Sequence, residues 1–292
     1  MKAGIYGQAN NEITIKYADH LMSTLKKNGI EFYLEKNFGE AFSKLTGHKF
    51  PFFDGYADLD KTYDVFFTVG GDGTFLRSVT LIRDHNIPIV GINTGRLGFL
   101  ATVQKENIDR AIEQISKKEF SIRKRTLLCV KSSNESEDFN DLNFALNEVS
   151  VSRKNTASMI KVDAFLDQEF LTTYWSDGLI VSTATGSTGY SMSCGGPIIS
   201  PSSKNLVLTP IAPHSLAVRP LVIPQRTKIE LKIDSRADEV LLTLDSRMYT
   251  ISNKSKVYIE KCDFSLKTLQ LKDETFIKTL REKLLWGEDK RN

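Results

Sequence analysis

Apolar and polar positions follow two different rhythms along this chain, and the change falls near Arg125. Before it, short apolar runs alternate with segments whose apolar residues recur every three to four positions. The pattern predicts a strand at 3–6, then a helix with Ala18, Leu21, Met22 and Leu25 on one face, stopped by Asn28-Gly29. A second strand follows at 30–34. Residues 35–60 carry Gly39, Gly47, Pro51 and Gly55 among scattered aromatics and read as a mobile or partly helical connection. An apolar strand at 64–69, a helix with Phe75, Leu76, Val79 and Ile82, and a strand at 87–92 then form a strand-helix-strand unit. A helix with Ile108, Ala111, Ile112 and Ile115 ends the first half.

From Arg125 the period is two. Short strands are expected at 127–130, 145–151, 160–166, 179–181, 221–223, 229–233, 240–244 and around Val257/Ile259, separated by turn residues. Such a series describes an all-β sandwich. Helical spacing returns with Phe276, Leu280 and Leu284. The expected organisation is therefore an N-terminal Rossmann-like α/β domain at 1–124, a C-terminal β-sandwich at 125–273, and a helical tail at 274–292 packing back on the first domain.

Composition narrows the class. The length of 292 residues fits two domains. Apolar residues make up 40% and charged ones 26%, and no apolar run nears the roughly 18 residues that span a bilayer. The opening residues lack a signal-peptide stretch, so a cytoplasmic protein without a membrane partner is expected. A net charge of +3 leaves no footprint for nucleic acid. Three cysteines, Cys129, Cys194 and Cys262, are odd in number and far apart, which fits reduced thiols better than a disulfide framework. The four histidines show no metal-ligand spacing, and no metal ligands are assigned.

The most informative stretch is Gly70-Gly71-Asp72-Gly73-Thr74, which closes one strand and opens a helix. Glycines let the backbone amides approach a phosphate, and the helix start adds a partial positive charge. A carboxylate beside phosphate repels it unless it has a task, such as taking a proton from an attacking hydroxyl or organising a metal. The plainer alternative is that Asp72 caps the helix. The loop lies at the carboxyl end of its strand, where open α/β sheets bind ligands, and Asn93–Leu100 leaves the next strand at the same edge.

In the second half, Asn147-Glu148 puts an amide and a carboxylate at adjacent positions of an apolar strand. Both reach one ligand only if the strand ends or bulges there. Ser176-Asp177-Gly178 precedes another strand. The densest polar stretch is Thr185-Gly186-Ser187-Thr188-Gly189-Tyr190-Ser191-Met192-Ser193-Cys194-Gly195-Gly196-Pro197, whose hydroxyls suit a tight pocket for a sugar, phosphate or base, or else a Ser/Gly linker.

Together and in this order, these motifs look like the bacterial NAD kinase family, a resemblance covering most of the chain. It implies transfer of the γ-phosphoryl of ATP, or of another donor, to the 2′-hydroxyl of the adenosine ribose of NAD, giving NADP, with magnesium shielding the phosphates. By similarity Asp72 is the general base, while Gly70, Gly71, Gly73 and Thr74 form the phosphate loop. Gly73 and Arg77 lie close to the dinucleotide or the donor, and Asn147 with Glu148 binds the adenosine portion. Asp177, Thr185, Thr188, Gly189, Tyr190, Ser191, Met192, Ser193, Ala212 and Arg247 complete the dinucleotide site. Relatives are commonly dimers or tetramers, so a homodimer or homotetramer is implied. Gly189 stands where the family often has alanine, Trp175 where a basic residue is common, and Arg247 where a neutral one is. A lipid kinase sharing the Gly-Gly-Asp-Gly loop and a non-catalytic dinucleotide sensor are the alternatives. A lipid kinase needs an apolar acceptor groove, and a sensor has no need of the Asp72 base.

Overall fold

Parallel strands bound side by side form the centre of the first of two units, Met1–Lys124 with Leu266–Asn292; the second unit is Arg125–Ser265. The computed structural model describes residues 1–9, 12–134, 139, 141–154 and 158–286. In chain order the first unit holds β1 (Lys2–Gly7), α1 (Glu12–Lys27), β2 (Glu31–Glu35), α2 (Lys36–Thr46), β3 (Phe52–Phe53), β4 (Val65–Gly70), α3 (Asp72–Ile82), β5 (Ile89–Asn93), β6 (Val103–Gln104) and α4 (Ile108–Ser116). The strands pair in the order β3-β2-β1-β4-β5, with β6 beside β5 and all neighbours parallel. β4 and β5 are buried along their whole length, as strands covered on both faces must be. Ala18, Leu21, Met22 and Leu25 of α1 pack into the same core as Ile5, Phe67, Val90 and Ile112.

The connection expected at 35–60 is more ordered than its composition suggests. α2 opens on Glu35, whose carboxylate accepts the Phe38 amide at 2.9 Å, and closes at Gly47 in the left-handed region. Gly39 inside it is no breaker: a Cβ there would sit 2.4 Å from the Phe52 ring, so the glycine lets the helix press onto β3.

β7 (Phe120–Ser132) carries the chain into the second unit. There follow β8 (Phe144–Ala145), β9 (Glu148–Arg153), β10 (Ile160–Leu166), β11 (Glu169–Ser176), β12 (Gly178–Thr183), α5 (Tyr190–Ser193), β13 (Asn205–Ile211), β14 (Leu221–Pro224), β15 (Ile229–Asp234), β16 (Glu239–Leu244), β17 (Arg247–Ser252) and β18 (Lys256–Leu271). Six antiparallel strands form one sheet, β14-β13-β12-β9-β16-β17. Against it lies β11-β10-β15-β18, with β7 joined to β18 and β8 to β7. The alternating inward residues of both, such as Val162, Leu231, Val151, Val181 and Leu242, share one core. That is the expected sandwich.

Three strands escape the alternation rule. β11 is an edge strand that leaves Phe170 and Trp175 exposed, and it is joined to β10 by Asp167-Gln168, both at positive φ, in place of the usual glycine turn. β13 is buried on both faces over Leu206–Pro210, with Pro210 past the stretch that pairs with β14. β17 exposes Met248.

The cysteine expectation is overturned. Cys129 and Cys262 are joined by a disulfide, because β7 and β18 are neighbours and bring their Cα atoms to 5.0 Å across 133 residues of sequence. Only Cys194 is free.

β18 runs back into the first unit from Leu266, earlier than the expected 274, and α6 (Phe276–Leu284) follows. Thr102 donates to Glu274 at 2.6 Å, Lys283 Nζ to the Leu97 carbonyl at 2.5 Å, and Arg110 pairs with Asp273. Residues 287–292 of the expected tail lie outside the described residues. No helix among the described residues is long and apolar enough to cross a membrane.

Candidate active site

In the first unit, β4 delivers Gly70 and Gly71 to the carboxyl edge of the sheet, and Asp72 is the first residue of α3. The capping reading fails here. Gly71 holds the cap position and makes no side-chain bond, while the Asp72 carboxylate turns to the loop after β5. The backbone N–H groups of Phe99, Leu100 and Ala101 donate to it at 2.8, 3.1 and 2.9 Å. Oδ1 takes two of these bonds and Oδ2 one. A carboxylate offers about four acceptor sites, so one on Oδ2 stays open. The approach requires Gly98: a Cβ there would fall 1.9 Å from Asp72 Oδ1.

The glycines around Asp72 divide into two kinds. At Gly70 a Cβ would strike Thr74 Oγ1 at 2.3 Å, so that glycine serves the fold. At Gly71 and Gly73 a Cβ would meet nothing within 4 Å, and their backbone faces open space at a helix start. Arg77 is on the same face of α3 as Gly73, four residues on, and hydrogen-bonds the Tyr6 side chain. Asn93 fixes the start of the second loop, donating to the Arg96 carbonyl at 2.7 Å and accepting the Gly95 amide at 2.8 Å.

The second unit repeats the Asp72 device. Asp245, at φ 53° in the turn between β16 and β17, accepts the amides of Leu146, Asn147 and Glu148 at 2.8, 2.7 and 3.2 Å. Its deep burial raises its pKa against the pull of those three amides. This grip explains how Asn147 and Glu148 present together: the strand breaks between Ala145 and Glu148, and the break is tied to Asp245. Thr183 ties it from the other side, its Oγ1 donating to the Leu146 carbonyl at 2.6 Å and its amide to the Asn147 carbonyl at 2.8 Å. Gly186 presses so near that a Cβ would lie 2.1 Å from the Asn147 carbonyl oxygen.

The result is a pair of waiting polar atoms. Asn147 Oδ1 and Glu148 Oε2 are buried and have no hydrogen-bond partner. Burial, joined by the Asp245 carboxylate, pushes the Glu148 pKa up to about 8, and the Tyr190 backbone amide only partly offsets this. At neutral pH Glu148 is thus mainly a carboxylic acid that can donate as well as accept. A Cβ on Gly189 would stand 2.9 Å from Glu148 Oε2, so glycine at this position leaves that oxygen room.

The hydroxyl-rich stretch is an ordered turn and not a linker: a single 3-10 turn, Gly186–Thr188, runs into α5. Its hydroxyls split in two. Ser187 Oγ accepts the Ile199 amide at 3.0 Å and donates to the Ala184 carbonyl at 2.8 Å, and Ser191 Oγ pairs with Thr209 Oγ1 at 2.8 Å. Those two are spent inside, and Thr185 is buried with them. Tyr190 and Ser193 are exposed, with Thr188, Gly189 and Met192 half-buried. Asp177 pairs with Arg153 at 3.0 Å, and Ala212 is an exposed residue at φ 44°. Arg247 looks inward: its guanidinium donates to the Leu142 and Phe144 carbonyls and lies over the Phe144 ring.

Two family models match the chain, the ATP-NAD kinase N-terminal domain over residues 3–120 and the ATP-NAD kinase C-terminal domain over 146–271. The NAD kinase of Flavobacterium psychrophilum is 49% identical over 294 residues, covering 100% of both chains, and that of Christiangramia forsetii is 48% identical with the same coverage. The chain belongs to the NAD kinase family. It is accordingly an enzyme, a phosphotransferase, and the lipid-kinase and sensor alternatives fall away. Among solved structures, the NAD kinase of Archaeoglobus fulgidus in complex with ATP is 26% identical with a TM-score of 0.75, over 97% of this chain and 99% of that one. Yeast NADH kinase complexed with NADH shares the fold, at a TM-score of 0.87 and 23% identity over 100% of this chain and 89% of that one.

Sequence reasoning missed the residues that hold the NAD kinase motifs in place. Gly98 and the amides of 99–101 were read only as a loop at the right edge. Asp245 belongs to none of the motifs. An aspartate in a tight turn between two strands was the available signal.

Proposed function

We propose that this chain transfers the γ-phosphoryl of ATP to the 2′-hydroxyl of the adenosine ribose of NAD, with Asp72 as the base. The observation that carries the reading is the Asp72 carboxylate, locked on three amides with one acceptor site left on Oδ2, between two glycines whose backbone faces open space. Phosphoryl transfer asks little covalent chemistry of a protein beyond positioning and charge stabilisation. In the step proposed, the ribose oxygen bonds to the γ-phosphorus, the bond from that phosphorus to the β-γ bridging oxygen breaks, the hydroxyl proton passes to Oδ2, and ADP leaves. The amides at Gly71 and Gly73 and the Arg77 guanidinium meet phosphate oxygens.

Asn147 Oδ1 and Glu148 Oε2 supply the unpaired buried groups that the adenosine portion satisfies, with Asp177, Thr185, Ala212 and the exposed face of residues 188–193 around it. Arg247 acts by holding the 142–144 backbone behind this pair. Magnesium comes with the donor: among the described residues no three His, Cys, Asp or Glu gather as a metal cage, and an ion held mainly by triphosphate oxygens and water needs none. It supplies charge neutralisation on the phosphates. The working form is proposed to be a homodimer or homotetramer.

The test is product identity. Purified protein with NAD, ATP and magnesium should yield NADP carrying a 2′-phosphate by phosphorus NMR, and a 2′-deoxyadenosine analogue of NAD should yield nothing. A 3′-phosphate, or a phosphorylated analogue, would refute the acceptor geometry, since displacement by about an ångström costs roughly a hundredfold in rate.

A further inference from the structure

The Asp72 carboxylate is only as fixed as the loop that donates to it. Residues 94–102 hold no helix or strand, and the three donor amides come directly after Gly98, whose backbone turns more freely than that of any other residue type. Packing alone does not hold the ends of this run: Leu97 and Thr102 border a cavity of about 180 Å³, which they share with Gln114, Leu271, Glu274 and Thr279.

The returning C-terminal segment touches the loop at three points, and these bracket the donor amides. Ahead of them, Lys283 Nζ donates to the Leu97 carbonyl at 2.5 Å. Because a peptide unit is planar, that bond sets the orientation of the Leu97–Gly98 link immediately before the glycine. Among them, the ring of Phe99 meets that of Phe276 with centroids 6.3 Å apart, inside the roughly 4.5–7 Å of aromatic pairs. Beyond them, Thr102 Oγ1 donates to Glu274 Oε2 at 2.6 Å. The segment is itself anchored: Arg110 pairs with Asp273, Gln270 donates to the Glu274 carbonyl, and Thr279 and Leu280 of α6 are buried. All these residues belong to the first unit, although the whole sequence of the second separates segment from loop.

We infer that Glu274, Phe276 and Lys283 are positioning residues for the Asp72 base, clamping the 97–102 loop so that its amides hold the carboxylate on the attacking hydroxyl. The inference rests on the reading of Asp72 as the base and extends it to residues outside every motif. Contacts that merely seated α6 would lower stability and leave the amides of 99–101 as they were.

Lys283→Met keeps the apolar stem and loses the donor; Thr102→Val keeps the shape and loses the hydroxyl that Glu274 accepts, and Thr102→Ser restores it. Displacement by about an ångström costs roughly a hundredfold, so losing one anchor of three should lower kcat about five- to twentyfold and leave the KM values for NAD and ATP within about twofold. Thr102→Ser should return kcat to within about threefold of wild type. Added to Asp72→Asn, the same two changes should cost less than about a further twofold, since the group they position is gone. Amide hydrogen exchange at 99–101 should run about tenfold faster in Lys283→Met and Thr102→Val, a readout independent of turnover. A kcat near that of wild type in both folded variants, a full additional loss on top of Asp72→Asn, or unchanged exchange at 99–101 overturns the inference. Should one variant not fold, the other decides. Near-normal turnover in Asp72→Asn, or a wild type that makes no NADP, refutes the base or the kinase reading instead, and the exchange rates still decide whether the segment holds the carboxylate.

Discussion

Replacing Glu148 by glutamine should make the unliganded protein more stable, increasingly so as pH rises. Glu148 is 9% exposed, its Oε2 is unpartnered, and Asp245 lies near; burial first and that carboxylate second raise its pKa from 4.5 to about 8. A pKa raised on folding means that ionisation favours the unfolded chain. The contribution of the neutral acid is fully present below about pH 4.5 and is lost as pH climbs to about 8. At roughly 1.4 kcal/mol per unit, the loss reaches about 1.4 kcal/mol at pH 5.5 and about 4–5 kcal/mol at pH 8.5. Glutamine keeps the shape and an oxygen for the Tyr190 amide but does not ionise. Urea unfolding of both proteins at pH 5.5, 7 and 8.5 should show the variant gaining about 3 kcal/mol on the wild type across that range. The difference reports Glu148 together with its coupling to Asp245. Curves that stay parallel within about 1 kcal/mol would refute the argument that Glu148 is buried beside Asp245 with Oε2 unpartnered in the free protein.

Asp72→Asn should lower kcat by about two orders of magnitude or more while calorimetric NAD affinity stays within a few-fold, and near-normal turnover would remove Asp72 from the chemistry. The same variant turns an NH₂ group toward amides of residues 99–101, so a thermal melt should show a loss of about 1–3 kcal/mol. Asn147→Ala should raise the KM for NAD by about 10- to 100-fold, since it leaves ligand groups unpaired; a fall in kcat alone would contradict a binding role. Light scattering should report a homo-oligomer, consistent with edge strands β11 and β17 that leave Phe170, Trp175 and Met248 exposed; a fully active monomer at micromolar concentration would refute a shared site.

Much of this molecule is legible without its structure. Helix periodicity around Leu21 and Leu25 and the alternation through Ile229, Leu231 and Ile233 reflect which face of an element is buried, a property of residues close in sequence. The order of the motifs, and the glycines that open a helix after a buried strand, were likewise local. α2 and β11 were less so, because the packing of Gly39 on Phe52 and an edge strand with exposed aromatics leave no clean period.

What the fold alone decided is the state of the reactive groups. Asp72 could be a cap or a base by sequence; it is neither free nor capping because amides 27 to 29 residues away close on it. Which hydroxyls of the Thr185–Ser193 stretch face outward depends on Ile199 and Thr209, and whether Cys129 is a thiol depends on Cys262, 133 residues on. The protonation of Glu148 is set by burial and by Asp245, neither visible in its neighbours along the chain. Local sequence fixes rhythm because steric preference acts over a few residues. Charge, reactivity and cross-linking follow from desolvation and contact, which exist only once distant segments meet.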